Sequence, residues 1–305
     1  MFDLDDLRAF TEVVEAGGLT RASQRLGMSK SLLSRRVARL ESQLGAQLLA
    51  RTTRGMSVTE AGASFKLHAD RIVAEMQAAI DAVSADGEAC GLLRIAAPLT
   101  FGLLHLAPIL AELAVRHPRL EIRTSYSDRY VDIVGEGYDV AIRLGNLPDS
   151  SLVARRIAPV HGVFVASPAY LARSPALRVP ADLDEHEAVR QGDEIWRILD
   201  NGREVSIRPQ GRFIADNGQA VLAAVIAGLG VGRLPAFLAG PAITRGDVAQ
   251  VLSDFPIPEA GIYLLRPPPS TYLPNKIKVL ADLLIERFGG DRNWEGCPRM
   301  ARVPV

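Results

Sequence analysis

Leu33, Val37, Leu40 and Leu44 stand at i, i+4, i+7 and i+11, one apolar stripe along a single helix. Ser29 precedes the stripe and offers its hydroxyl to the free amides of the first turn, and Gly45 follows as a stop. The opposite face carries Ser31, Ser34, Arg35 and Ala38, with Arg39 on its flank. A narrow face with hydroxyls and a guanidinium suits the major groove of a duplex. Small side chains let the helix enter, and polar ones meet base edges and phosphates. A fold built on this chain has to leave that face uncovered.

Two shorter helices come first. Leu4, Leu7, Phe10, Val13 and Val14 repeat at spacings of three and four until Gly17-Gly18. Thr20 is placed to cap a second helix with Ala22 and Leu26 inward, ending at Gly27. Two short helices, a glycine turn and a third helix with a polar outer face describe a helix-turn-helix. Leu48–Val58 then reads as two extended runs around a Thr/Arg/Gly tip, a β-wing whose Arg51 and Arg54 can follow the phosphate backbone or enter the minor groove. From Ser29 to Arg54, six basic residues face one acid, Glu41, in a chain otherwise balanced at 35 basic and 35 acidic residues. Such a local excess can be the electrostatic footprint of a polyanion-binding surface or a solvated Arg-rich helix face, and charge alone does not separate the two.

Thr59 is expected to cap a long Ala-rich helix reaching about residue 85, with Ala63, Leu67, Ile72, Val73, Met76, Ile80 and Val83 as its apolar seam. The small N-terminal domain cannot cover a seam of that length, and monomers rarely leave one bare. The helix is therefore expected to pair with a second copy. Ser84–Gly91 reads as a linker.

From Leu92 the pattern changes. Strands over Leu92–Ala97, Leu120–Tyr126 and Val140–Leu144 alternate with a helix from Pro98 to about Arg116 and a short one over Tyr130–Val134, which implies a parallel α/β sheet. Val160–Ala166 is a further strand, and Gly192–Gly211 reads as polar and poor in strands. Asp216-Asn217-Gly218 leads into a helix over Ala220–Ala227. Gly228, Gly230 and Gly232 bracket a strand, Pro235 opens another helix, Gly261–Leu265 is a late strand and Leu273–Phe288 a last amphipathic helix. The apolar run Ala220–Gly232 is Gly-rich and short of the ~20 residues a bilayer needs. The acidic start Asp3-Leu4-Asp5-Asp6 is unlike an export signal, and Cys90 and Cys297 form no CxxC pair. A cytoplasmic protein without a membrane segment is expected.

Gly17-Gly18-Leu19-Thr20-Arg21-Ala22, Leu26-Gly27-Met28-Ser29, Leu40-Glu41 before Leu44-Gly45, and Leu48-Leu49-Ala50-Arg51-Thr52-Thr53-Arg54 together resemble the winged helix-turn-helix of LysR-type transcriptional regulators. Leu93-Arg94-Ile95-Ala96-Ala97-Pro98, Gly137–Gly145, Ala166–Leu171 and Gly228–Pro235 resemble that family's effector domain. The resemblance spans residues 2–288. It implies an N-terminal winged helix-turn-helix plus a two-lobed, periplasmic-binding-protein-like α/β effector domain. The divisions are 1–60 for DNA binding, 61–90 for the dimerisation helix and hinge, and 91–288 for the effector domain. Within the last, lobe one takes 92–163 and 267–288, lobe two takes 164–266, and 289–305 is expected to be a mobile tail. Double-stranded promoter DNA, a small-molecule effector, and self-association to a dimer and a tetramer are the implied partners. The candidate DNA contacts are Thr20, Ser29, Lys30, Ser31, Ser34, Arg35, Arg39, Arg51, Thr52, Thr53 and Arg54. Lys30 stands where Gln is frequent in the family, and Lys can reach guanine acceptors or a phosphate.

In such a fold, ligands sit beyond the C-terminal ends of strands, where helix N-termini offer free amides. Thr100, Phe101, Ser127, Arg143, Asn217 and Gly218 occupy those positions, and hydroxyls, amides and an arginine suit a carboxylate. An enzyme is the main competing class. His68, His105, His117, His161 and His186 are scattered, and HExxH, GxSxG and GxxxxGK are absent. Neither metal nor cofactor is expected. A ligand-independent DNA-binding repressor and a winged helix fused to an enzymatic domain are the alternatives.

Overall fold

The computed structural model describes residues 3–52, 55–83, 88–268, 273–290 and 292–295. Helices α1 (Leu4–Glu15), α2 (Leu19–Leu26) and α3 (Lys30–Leu44) pack around Phe10, Leu33 and Leu40, all fully buried. The apolar stripe of α3 thus faces inward, as its period requires. Ser29 Oγ accepts the Leu32 amide at 3.2 Å, and Gly27 and Gly45 close α2 and α3 at left-handed φ of 63° and 65°. Thr20 is not the cap of α2. The helix begins one residue earlier, after Gly18 at φ 145°, and Thr20 lies exposed in the first turn.

Strands β1 (Leu49–Thr52) and β2 (Gly55–Val58) pair antiparallel as the wing. Glu41 holds its base by accepting the amides of Leu48 and Leu49 at 2.7 and 2.9 Å. The long helix α4 (Glu60–Val83) is capped by Thr59, whose hydroxyl accepts the Gly62 amide at 2.9 Å. Its face toward α1 is Phe65, Ala69 and Val73, spaced i, i+4, i+8, with Phe65 5.8 Å from Phe10. The expected seam is therefore split: Ile72 is 46% exposed, and the side chains of Ile80 and Val83 lie outside the described residues.

Lobe one is a five-stranded sheet in the order β4-β3-β5-β14-β6, with β3 Gly91–Ala97, β4 Leu120–Tyr126, β5 Val140–Gly145, β6 Val153–Val160 and β14 Ala260–Arg266. The first three run parallel, and β14 pairs antiparallel with both β5 and β6, so the sheet is mixed. The strand Ala260–Arg266, assigned to lobe two from sequence, belongs here. Its apolar residues Ile262 and Leu264 fill the slot between β5 and β6. Lobe two is a second mixed sheet in the order β11-β8-β12-β7-β13, with β7 Gly162–Ala166, β8 Ala188–Gln191, β11 Phe213–Ala215, β12 Val231–Pro235 and β13 Ala249–Val251. The chain crosses between lobes at His161 and again before Ala260, and one buried core runs through both.

Helix α5 (Leu99–Arg116) buries Phe101, Leu106, Ile109, Leu110 and Leu113 on lobe one. It is long and apolar enough to cross a bilayer by composition, a stretch the sequence reading passed over. A π-turn over Gly102–Leu106 interrupts it. A Cβ on Gly102 would stand 2.3 Å from the Tyr126 ring, so the close approach of α5 to the end of β4 requires glycine.

Three further expectations are corrected. Tyr130–Val134 forms no helix: the Asp132 carboxylate takes the amides of Val134 and Gly135 at 3.1 and 2.8 Å, a local turn that competes with helical bonding. The polar stretch 192–211 contains a hairpin, β9 (Trp196–Asp200) with β10 (Arg203–Ile207), anchored by fully buried Trp196 and Ile198. Beyond helix α9 (Asn275–Phe288), Arg292–Glu295 forms a 3₁₀ turn with Glu295 buried, where a mobile tail was expected from 289; residues 296–305 lie outside the described residues.

Candidate functional site

Ser31 and Arg35 are exposed on the outer face of α3, and Ser34 is half-buried between them. Ser29 Oγ and Ser31 Oγ lie 3.1 Å apart at the start of the helix. The Arg35 Nε–H donates to the Ser31 carbonyl at 3.4 Å, which folds the guanidinium along the helix. Neither Arg35 nor Lys30 has an acid partner among the described residues.

Arg39 differs. Its Nε and Nη2 each donate at 2.5 Å to the Asp6 carboxylate, and Nη2 reaches Asp3 at 3.2 Å. The hydrogen bonds it donates to Asp6 raise the guanidinium's pKa above its ordinary value. Arg36 is likewise paired with Asp5 at 3.0 Å and Asp6 at 3.2 Å. The acids that open the sequence thus neutralise part of the basic excess, and Arg39 braces α3 against α1. Among the described residues, Lys30 and Arg35 are the cations of α3 that no acid neutralises. Arg51 and Thr52 lie on β1, their side chains outside the described residues, as are Thr53 and Arg54 altogether.

The second site is a cavity of about 270 Å³ at the lobe boundary. Thr100, Phe101, Arg143 and Gly218 line it, as expected. Two helices begin at its edge, α5 and α7 (Gly218–Ile226). Asn217 ties the lobes together beside it. Its Oδ1 accepts the Gln219 amide at 2.8 Å, capping α7, while Nδ2 donates to Thr100 Oγ1 at 3.1 Å and Asp128 Oδ2 at 2.5 Å. The other Asp128 oxygen accepts the Leu99 amide at 2.9 Å, at the start of α5. Ser127 is not in the wall. Its amide returns to the Ala97 carbonyl and its hydroxyl accepts the Arg129 amide, leaving the next residue, Asp128, at the cavity.

Arg143 donates to the Arg129 carbonyl at 3.0 Å and lies 5.1 Å from the Tyr130 ring centroid. Burial holds its pKa below the ordinary value, with Arg129 adding to the fall and Tyr130 and Asp128 offsetting part of it. Among the described residues no carboxylate pairs with it. From lobe two, Arg233 faces the same cavity, with Nη1 3.0 Å from Glu194 and a buried Nε that has no hydrogen-bond partner. His161, Gln191, Phe237 and Tyr130 complete the polar and aromatic wall. Sequence reasoning missed these, although Arg233 stands in the quoted Gly228–Pro235 segment. The cavity thus combines Arg143, two helix N-termini and aromatic walls with the Asp128 carboxylate and the Arg233–Glu194 pair.

A winged helix-turn-helix on a long helix, followed by a two-lobed α/β domain with such a cavity, defines a one-chain transcriptional regulator with its own ligand-binding domain. The LysR substrate binding domain model matches residues 86–289, and the model of the bacterial regulatory helix-turn-helix protein, lysR family, matches residues 4–63. The chain is 35% identical over 292 residues to the HTH-type transcriptional regulator PtxR of Pseudomonas aeruginosa, covering 94% of this chain and 93% of that one. It is 32% identical to CrgA of Neisseria meningitidis, covering 94% and 97%. The solved structure of CrgA superposes with a TM-score of 0.58 at 29% identity, covering 94% of this chain and 99% of CrgA. That of the Vibrio cholerae virulence activator AphB superposes at 0.56 and 28%, covering 94% and 99%. The chain belongs to the LysR family of transcriptional regulators.

Proposed function

We propose that this regulator binds promoter DNA through the outer face of α3 and the wing, and that a small carboxylate held between the lobes controls it. The observation that carries the reading is the pairing of Arg143 from lobe one with Arg233 from lobe two across one cavity. A carboxylate between them would link the lobes that Asn217 already joins to Thr100 and Asp128. In a thermal-shift screen of small metabolites, carboxylates should raise the melting temperature while their amides do not, because a ligand of the folded state stabilises it by mass action. Arg143→Ala should remove the shift; amides that stabilise as well as acids would sink the reading.

Self-association is part of the proposal. Ile72 on α4 is 46% exposed, and on α5 Leu103, Leu104 and Val115 are 55%, 54% and 80% exposed. Apolar faces on two different elements support one contact through the long helices and a second through effector domains, which together give a tetramer. Light scattering checks it: a monomer at micromolar concentration would overturn both contacts, and Ile72→Glu should remove the first.

A further inference from the structure

The tail after α9 returns to the lobe boundary. Trp294 packs its ring against Phe288 at 5.2 Å, His105 at 5.6 Å, Phe237 at 6.0 Å and Phe101 at 6.2 Å. Phe101 comes from lobe one and Phe237 from lobe two, and both line the cavity. Glu295 is 6% exposed. Its carboxylate accepts the His161 backbone amide at 2.9 Å and meets the His161 ring Nδ1 at 3.0 and 3.1 Å. His161 is the crossover residue between β6 and β7 and also lines the cavity, and Glu259, near the other crossover, lies 3.5 Å from its Nε2. Two consecutive residues of a four-residue turn thus touch both lobes and the hinge.

A buried carboxylate persists only where donors repay its desolvation, and here the donors belong to the hinge. The indole and the His105 ring both back the two aromatic walls. Because protein interiors are close-packed, removing the indole gives Phe101 and Phe237 room to retreat. We infer that Trp294 and Glu295 are specificity-determining residues of the effector cavity: the tail clasps the two lobes from behind and limits the size of ligand the cavity accepts. This inference rests on the cavity being the effector site.

The test uses the full chain and two anionic probes of different size, benzenesulfonate and naphthalenesulfonate, with dissociation constants from calorimetry. Trp294→Ala should move the ratio of the two constants toward the larger probe by roughly tenfold, the scale on which hydrophobic pockets discriminate size. Trp294→Phe should restore most of the original preference, which a general loosening of the fold would not do. The chain has two tryptophans, and Trp196 is fully buried, so changes in acrylamide quenching report Trp294. Glu295→Ala should increase that quenching, and Glu295→Gln, which keeps an acceptor for the His161 amide, should increase it less. An unchanged size preference in Trp294→Ala, with both probes binding the unaltered chain, overturns the clasp alone. If neither sulfonate binds the unaltered chain, the cavity reading and the clasp's role in specificity fall together. Quenching of Trp294 at the level of a free peptide also overturns the clasp, whatever the probes do.

Discussion

Arg94 and Arg123 stand side by side in register on the parallel strands β3 and β4, and the carboxylate that neutralises them both, Glu15, comes from the first helix of the DNA-binding domain. Like charges directly opposite on a sheet repel. Burial and the neighbouring Arg123 both lower the pKa of Arg94. Lys66 of α4 joins at 3.2 Å from Glu15, and Asp70 pairs with Lys66 at 2.6 Å and with Arg94 at 3.4 Å. Arg71 adds a bond to the Val134 carbonyl at 2.7 Å. The DNA-binding domain is thus fastened to lobe one by charge.

Glu15→Gln leaves two adjacent guanidiniums without their shared anion. The expected cost is about 2 kcal/mol, below the roughly 3–5 of a fully buried pair because Arg94 and Arg123 keep some solvent exposure. Urea denaturation measures it, and proteolysis should cut the linker faster. A variant as stable as the parent, with unchanged cleavage, would show that the contact carries no weight.

Arg35 and Arg39 should separate recognition from architecture. Arg35→Ala is expected to abolish sequence-specific binding in gel shifts while the unfolding midpoint stays put. Arg39→Ala should lower the midpoint, because Asp6 is fully buried and loses its closest partner. The reverse pattern would contradict the pairing scheme.

Asn217→Asp keeps a good helix cap but sets a second carboxylate against Asp128, where the amide now donates. The lobes should part. Small-angle scattering should show a larger radius of gyration than the parent's, and Asn217→Ala should show a smaller change. Identical scattering profiles for parent and Asn217→Asp would mean that this contact does not hold the lobes.

His105 gives a pH signature. Burial among Phe101, Phe237 and Trp294 lowers its pKa from the ordinary 6.5, and its Nε2 has no partner. The folded state then binds fewer protons than the unfolded one. Its share of stability is full above 6.5 and is lost as the pH falls through the lowered folded value. Denaturation midpoints from about pH 7 to about pH 5 should fall less steeply in His105→Phe than in the parent. Parallel curves would remove His105 as the cause.

The helices of the DNA-binding half were legible because each has a clear apolar period and a glycine stop, and the family motifs fixed their order. The hairpin over Trp196–Ile207 left a signal that went unread. Asn201-Gly202 takes φ of 48° and 76° between paired Asp200 and Arg203, the two-residue turn that dipeptide favours. The place of β14 could not be read, because its apolar pattern is the same whichever sheet it joins. In the cavity, strand ends pointed to Thr100, Phe101 and Arg143. Arg233 and His161 come from the far lobe and the crossover, and only the packing of the two sheets brings them opposite.

Strands β3 and β4 carry the Arg94–Arg123 pair in mid-length and end at Ala97 and Tyr126, beside the cavity, three residues or ~10 Å further on. Between those points lies hydrogen-bonded sheet with no loop to absorb movement. Lobe one is therefore held at one place by α1 of the DNA-binding domain and borders the cavity at the other, on one uninterrupted pair of strands.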